Sequence, residues 1–349
     1  MASTSSREAA LERRKALTAV KKNRRVEVGR DAERVVEHHP AQLLDTAVDR
    51  AQGLHSWAVR FGERGVFTTA RLLHAATVVL LAVVVFALFA PWLSPHDPLK
   101  TSWALVRKAP SALHWFGTDA IGRDLFVRTL YGARTSLTVA LIATGIATGL
   151  GILLGLLAGY LGGWVDTVIS RVIDLFLSLP VLLFSIGIAA TCSITAEGCL
   201  GGFVQPGISL VVLIISLFTW PYIGRIVRGQ VLSLRQKEFV EAARSLGTGT
   251  AGILFREILP NLAAPVIVYA TLTIPSNVLF EASLSYLGVG IPPQTPSWGR
   301  MIAEGSKGQL FTVAWWMLVF PGIALVLTTL AFNLVGDGFR DALDPRTQG

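Results

Sequence analysis

Few residues in this chain have types and spacings that suggest chemistry or specific contact. Cys192 and Cys199 stand seven apart. They are either a disulfide pair or two unpaired small residues, and neither has a Cys or His nearby at zinc-ligand spacing. Asn277 and Glu281, four apart, share one face of a helix, and a carboxylate inside a membrane is functional by default. They are candidates for a translocation pathway or for an interface with an outer partner. Arg171 and Asp174 are spaced to pair on another helix. Glu241-Ala242-Ala243, followed by Gly247 and then Leu259-Pro260, suits a short helix pressed against a second protein. The alanines permit close approach and Gly247 ends the helix. Pro260 opens the next one where a missing N–H costs nothing. No lysine follows a glycine, so no P-loop cradles a phosphate. Neither a Gly-x-Ser-x-Gly elbow nor a His-Glu-x2-His helix is present. The sequence therefore offers no catalytic residues and no metal-ligand motif.

The elements that carry these residues follow from hydropathy. Hydrophobic residues make up 52% of the 349 positions and charged ones 15%, with a mean hydropathy of +0.55. A hydrocarbon core about 30 Å thick takes roughly 20 apolar residues in a helix. Six stretches free of Asp, Glu, Lys and Arg are long enough, lying between 71 and 97, 134 and 166, 174 and 197, 197 and 225, 257 and 281, and 307 and 337. The expectation is an all-α integral membrane protein with about six transmembrane helices, near 72–93, 135–160, 172–194, 206–225, 260–289 and 312–336. These form one domain over 72–349, with a loop over 226–259 between the fourth and fifth spans.

Residues 1–71 are a basic tail, in which apolar residues recur at three- and four-residue steps near 42–61 as on an amphipathic helix lying on the membrane surface. Before the second span, Thr118 or Asp119 is placed to cap a short, salt-bridged surface helix ending at Gly132. The second span itself carries Gly145, Gly149, Gly151, Gly155 and Gly159. Glycines four apart let another backbone approach, so this helix packs tightly against a neighbour in the chain or in a partner. Pro180, Pro265, Pro275 and Pro321 favour kinks in other spans.

Lys and Arg accumulate on the cytoplasmic side of membrane proteins. With the N-terminus inside, the inner segments hold 23 of the 31 Lys and Arg residues and the outer ones eight, so both termini and the 226–259 loop are expected in the cytoplasm of a multi-pass plasma-membrane protein.

The loop sequence Glu241-Ala242-Ala243-x3-Gly247, with Leu259-Pro260 twelve residues beyond the glycine, resembles the EAA loop of ABC importer permeases. The family pattern has Ile three before the Pro, where Glu257 stands here. Gly117-Thr118-Asp119-x2-Gly122-Arg123-Asp124, Glu281-Ala282-Ser283-Leu284-Ser285-Tyr286-Leu287-Gly288 and the ending Gly336-Asp337-Gly338-x-Arg340-Asp341 are similar to the dipeptide, oligopeptide and nickel permeases, in particular their C-type subunits. The resemblance implies a type I ABC importer permease fold. It also implies a homologous permease partner, one or two cytoplasmic ATPase subunits, an extracytoplasmic peptide-binding protein, surrounding lipids and no nucleic acid. ATP and Mg2+ would belong to the partner subunits, with no cofactor in this chain. Short peptides are the implied cargo, and nickel, glutathione or oligosaccharides travel by the same machinery. A stand-alone channel or ion-coupled carrier is the rival from another class. It would need no such loop, and it would want ionisable residues at the bilayer midplane.

Overall fold

A computed structural model of the chain describes residues 71–94, 96–192, 198–202 and 204–343. The basic tail and its expected amphipathic helix near 42–61 lie outside these, as do residues 344–349. Among the described residues, helices are joined by turns and irregular segments, which hold two isolated bridges, Thr118 with Asp124 and Cys199 with Val204. Five helices among these residues are long and apolar enough to cross a membrane, and a pair bent by 90° makes a sixth if its two arms count as one span.

Helix α1 is Arg71–Leu88. Helix α2, Leu125–Leu161, is continuous for 37 residues, so the expected break at Gly132 does not occur. Asp124 is its cap, accepting from the Val127 N–H at 3.1 Å. Asp119 is unavailable for capping because its carboxylate takes the N–H groups of Ile121 and Arg123, each at 2.9 Å. Gly132 stays helical and gives room instead, since a Cβ there would lie 3.0 Å from the Trp298 ring.

The third crossing, expected as one span over 172–194, is two helices. α3 (Gly163–Ser178) and α4 (Val181–Cys192) meet at 90°. Leu179, just before Pro180, is extended, as the proline ring demands of its predecessor. Helix α5 (Ile208–Leu234) runs beyond its expected end at 225, and α6 (Glu238–Ser245) follows after a tight turn. Helix α7 is Leu259–Tyr286. A π-turn, Ile253–Ile258, leads into it rather than a clean start at Pro260. Pro260 supplies no N–H and its ring crowds the carbonyl four residues back, so the chain widens there and the helix continues. Helix α8 (Trp298–Ser306) is capped by Ser297, and α9 (Trp316–Leu343) closes the fold.

The core is the α2–α5 pair. Gly151, Gly155 and Gly159 lie successively against Ile223, Val227 and Val231, so the two helices run parallel and in register. A Cβ at Gly155 would stand 2.8 Å from the Gly224 carbonyl oxygen. Gly145 and Gly149 have no neighbour within 4 Å of a Cβ position, so they take no part in this seam. Of the most apolar stretch of α5, 67% is buried, against 11% in α1 and 17% in α9. α5 is thus central, and the flanking helices turn exposed Leu, Val and Phe side chains outward, as lipid contact requires.

The seam predicts opposite outcomes for one chemical change. In a helix, Gly→Ala gains roughly 1 kcal/mol of propensity, whereas overpacking costs about 1–3 kcal/mol. Gly155→Ala should lower the unfolding temperature of the detergent-solubilised chain, while Gly145→Ala should leave it unchanged or raise it. Thermal-shift measurements on the two variants read this directly.

Candidate functional site

The segment between α5 and α7 is held by its own hydrogen bonds before it meets anything else. Arg235, at the end of α5, donates to the Gly159 carbonyl at 2.9 Å and joins the ends of α2 and α5. Helix α6 then presents two sides. Val240 and Ala243 are buried among Val227, Val231, Ile253, Leu254, Ile258 and Leu262. Glu241, Ala242, Ser245 and Leu246 are exposed. Leu246 is 86% exposed and Phe255 on the neighbouring π-turn 56%. The expectation that Ala242 and Ala243 both meet a partner therefore needs correcting. Ala243 seats the helix on its own chain, and Ala242 belongs to the free side.

Helix α6 ends in a Schellman turn. The Thr248 N–H donates to the Ala243 carbonyl and the Gly247 N–H to the Arg244 carbonyl, both at 3.0 Å. Gly247 has φ +78°, and nothing lies within 4 Å of where a Cβ would be. Backbone sign, not space, requires glycine there. Leu259 is half-buried beneath the same apolar cluster, while Pro260 is exposed.

At the same end of the α2–α5 pair, α3 carries Asp166, Ser170, Arg171 and Asp174 around a cavity of about 400 Å3 that Arg225 and Arg228 also line. Asp174 pairs with Arg225 rather than with Arg171 as the spacing suggested. The α3–α4 bend lays α3 beside α5, and Asp166 likewise accepts from Nε and Nη2 of Arg228, the latter at 2.8 Å.

Asn277 and Glu281 are 3% and 0% exposed, so neither faces an opening in this chain. Ser136 and Ser285 each donate to Glu281 at 2.7 Å, Asn277 donates to Thr144 Oγ1 at 2.8 Å, and Thr219 donates to Asn277 at 3.1 Å. Within this chain the two residues bond α7 to α2 and α5. Cys192 and Cys199 form a disulfide with Cα atoms 4.9 Å apart, linking the end of α4 to the turn before α5.

The sequence did not reveal a buried ionic cluster at the opposite end, where a surface helix was expected. Arg128 is 0% exposed and donates to Asp119 and to Glu304 of α8, the latter at 2.9 Å. Arg123 donates to the same two carboxylates at 2.6 and 2.9 Å. Burial alone would raise the Asp119 carboxyl. The Arg128 and Arg123 guanidiniums and the backbone amides of Arg123 and Ile121 outweigh it and hold the group below its ordinary value. Alternating charges in the 119–134 stretch were the only sequence signal, and Glu304 lies too far along the chain to be matched to them.

Residues 151–349 match the family described as binding-protein-dependent transport system inner membrane component, and residues 67–110 match the N-terminal transmembrane domain of oligopeptide transport permease C. The chain is 43% identical to the oligopeptide transport system permease protein OppC of Escherichia coli K12, over 78% of this chain and 86% of that one. It is 42% identical to the glutathione transport system permease protein GsiD of Shigella flexneri serotype 5b, over 79% and 86%. The chain therefore belongs to the inner-membrane components of binding-protein-dependent transport systems. Within that family it is a multi-pass permease subunit of an ABC importer.

Two outcomes follow from the buried polar groups. Asp119→Asn leaves Arg128 buried with one carboxylate fewer and should destabilise the fold by about 3–5 kcal/mol. In the parent chain, a carboxyl held below its ordinary value contributes stability above pH about 4 and loses it as pH falls toward the lowered value. Melting temperature should therefore drop on acidification below that point, and less so in Asp119→Asn. Separately, Glu281→Ala strands the Ser136 and Ser285 hydroxyls and should reduce the yield of folded chain, with Glu281→Gln recovering part of it. Normal stability with lost uptake in Glu281→Ala would instead make it a pathway residue.

Proposed function

We propose that this chain, paired with a homologous permease, forms the membrane pathway through which short peptides enter the cell. An extracytoplasmic binding protein delivers the cargo. One fused or two separate cytoplasmic ATPase subunits, carrying ATP and Mg2+, drive the cycle, while this chain does no chemistry. The α1 start, the α9 end and the α6 loop lie at one end of the bundle, with Leu73 against Gly338. The excess of Lys and Arg in these segments supports placing that end in the cytoplasm. Relatives named for oligopeptide and glutathione transport support a peptide-like cargo over nickel or sugars.

The observation that carries this reading is the two-sided α6. Its inner side is fixed on its own chain by Val240 and Ala243. Its outer side sets the Glu241 carboxylate beside the small Ala242, with Leu246 and Phe255 exposed next to it. A solvated hairpin has no use for large apolar groups in that position. Docked in a groove of an ATPase subunit, Glu241 meets a basic or N–H partner, Ala242 allows close contact and Gly247 turns the chain away.

The test is ATP hydrolysis by the purified complex with and without loaded binding protein. Ala242→Trp should lower stimulated hydrolysis by at least roughly tenfold, equivalent to about 1.4 kcal/mol at the contact, or release the ATPase, while the permease stays folded. Ala243→Trp should instead disturb the seat of α6 and lower the stability of the chain itself. Unchanged stimulation and transport in Ala242→Trp would place the contact elsewhere.

A further inference from the structure

One cluster of metal-ligating side chains has no role in the coupling loop or in the buried polar contacts. His96 lies in the turn after α1, His114 in the segment before α2, and Asp124 is the α2 cap. Each offers one ligand atom, and the three atoms lie within 4.8 Å of one another. His114 Nδ1 is 2.7 Å and His96 Nδ1 is 3.2 Å from the same atom, Asp124 Oδ2. The two imidazole rings stand side by side with centroids 5.2 Å apart. Asp124 Oδ1 is occupied by the Val127 N–H, which orients the carboxylate and leaves Oδ2 for the histidines.

We propose that His96, His114 and Asp124 bind a late first-row divalent cation, with Zn2+ as the representative ion, at the end of the bundle opposite the α6 loop. Two imidazole nitrogens and one carboxylate oxygen are a three-ligand set of the kind zinc takes, leaving a further position for water. Imidazole favours such ions over Mg2+ and Ca2+, which prefer all-oxygen sites. Bonds of about 2.0–2.2 Å to a tetrahedral ion separate its ligand atoms by roughly 3.3–3.5 Å. The His96–Asp124 pair already has nearly that separation, and the His114–Asp124 pair reaches it by a small rotation of one ring.

Access is graded in the way a filled site needs. The Asp124 side chain is 4% exposed, that of His114 12% and that of His96 39%. An ion therefore enters from the His96 side and meets two ligands fixed beneath it. The Val127 N–H on Asp124 Oδ1 supplies the outer-shell hydrogen bond that usually holds a ligating carboxylate in place. The three residues are far apart in sequence, with His114 ten before Asp124, so no compact ligand motif marks them. Bound there, the ion ties the exit of α1 to the start of α2 and fixes the segment between them.

The full-length chain, purified in detergent with any subunits that accompany it and stripped with a chelator, is titrated with Zn2+ or Co2+. His38, His39 and His55 of the tail are further imidazoles, so H96A/H114A is compared with H38A/H39A. The wild type and H38A/H39A should hold about one ion per chain more than H96A/H114A. They should also show a Co2+ ligand-field band that the double variant lacks and a melting temperature that Zn2+ raises. His96→Ala alone changes the most exposed ligand and keeps the His114–Asp124 bond, so it guards against misfolding. It should weaken binding by more than the 10–100-fold typical of outer-shell losses. Equal metal content and equal Co2+ spectra in the wild type, His96→Ala and H96A/H114A would overturn the proposal and leave a hydrogen-bonded His–Asp cluster.

Discussion

Lipid tails are as apolar as leucine, so burying hydrocarbon gives the helices of this chain no reason to associate. Backbone proximity has to supply the attraction, and it does so where Gly151, Gly155 and Gly159 of α2 receive Ile223, Val227 and Val231 of α5. With no side chain on the α2 face, the two helices come close enough for dispersion contacts along three successive turns. Two long parallel helices held in this way set the register of everything attached to them. Arg235 then clamps the far end onto the Gly159 carbonyl, and the Ser216 hydroxyl donates to the Ala143 carbonyl further along the same seam.

Given that seam, the buried polar groups have a place to be satisfied. Glu281 and Asn277 would be costly in hydrocarbon alone. Ser136 and Thr144 on α2 and Thr219 on α5 provide their partners, so α7 docks where its polar face is matched. Gly299 brings α8 so close to α7 that a Cβ there would lie 2.3 Å from the Ala282 carbonyl. That approach carries Glu304 into reach of Arg123 and Arg128. The ionic cluster is thus a consequence of packing upstream of it, and each charge in it depends on helices brought together by close contact elsewhere.

This dependence explains what the sequence could and could not disclose. Charge-free stretches, the loop spacing and the helix stop at Gly247 each lie within one continuous segment, and each was readable without knowing what packs on it. Five glycines in α2 gave one signal but have two roles. Gly149 and Gly151 are two residues apart, so they point roughly 200° away from each other around the helix. Only a neighbour's position decides which set is covered. Similarly, Arg171 was as well spaced as any partner for Asp174, and Arg225 won because α3 turns at Pro180 to lie along α5. Ala242 and Ala243 are identical in chemistry, and only the hydrophobic seat under α6 separates them. The pairing of Cys192 with Cys199 was left open by spacing and is set by the Cys199–Val204 turn that faces the end of α4.

On the proposed reading, the seat under α6 also determines what a moving ATPase subunit can transmit. Val240 and Ala243 pack on Ile253, Leu254 and Ile258, and these continue through the π-turn into α7 without a flexible linker. The same cluster includes Val227 and Val231 of α5, the residues that also pack on Gly155 and Gly159 in the glycine seam. A displacement of α6 therefore meets α5 and α7 together, and α2 moves with α5. Close-packed interiors shift as bodies rather than deform gradually. The α2–α5–α7 unit is then the lever, and its far end carries the Arg–Asp–Glu cluster and the His96–His114–Asp124 cluster. The bend at Pro180 leaves α4 attached to this unit through the disulfide and its packing on α5. On that reading, force applied at the α6 end reaches the other end of the bundle through helices that share one seam.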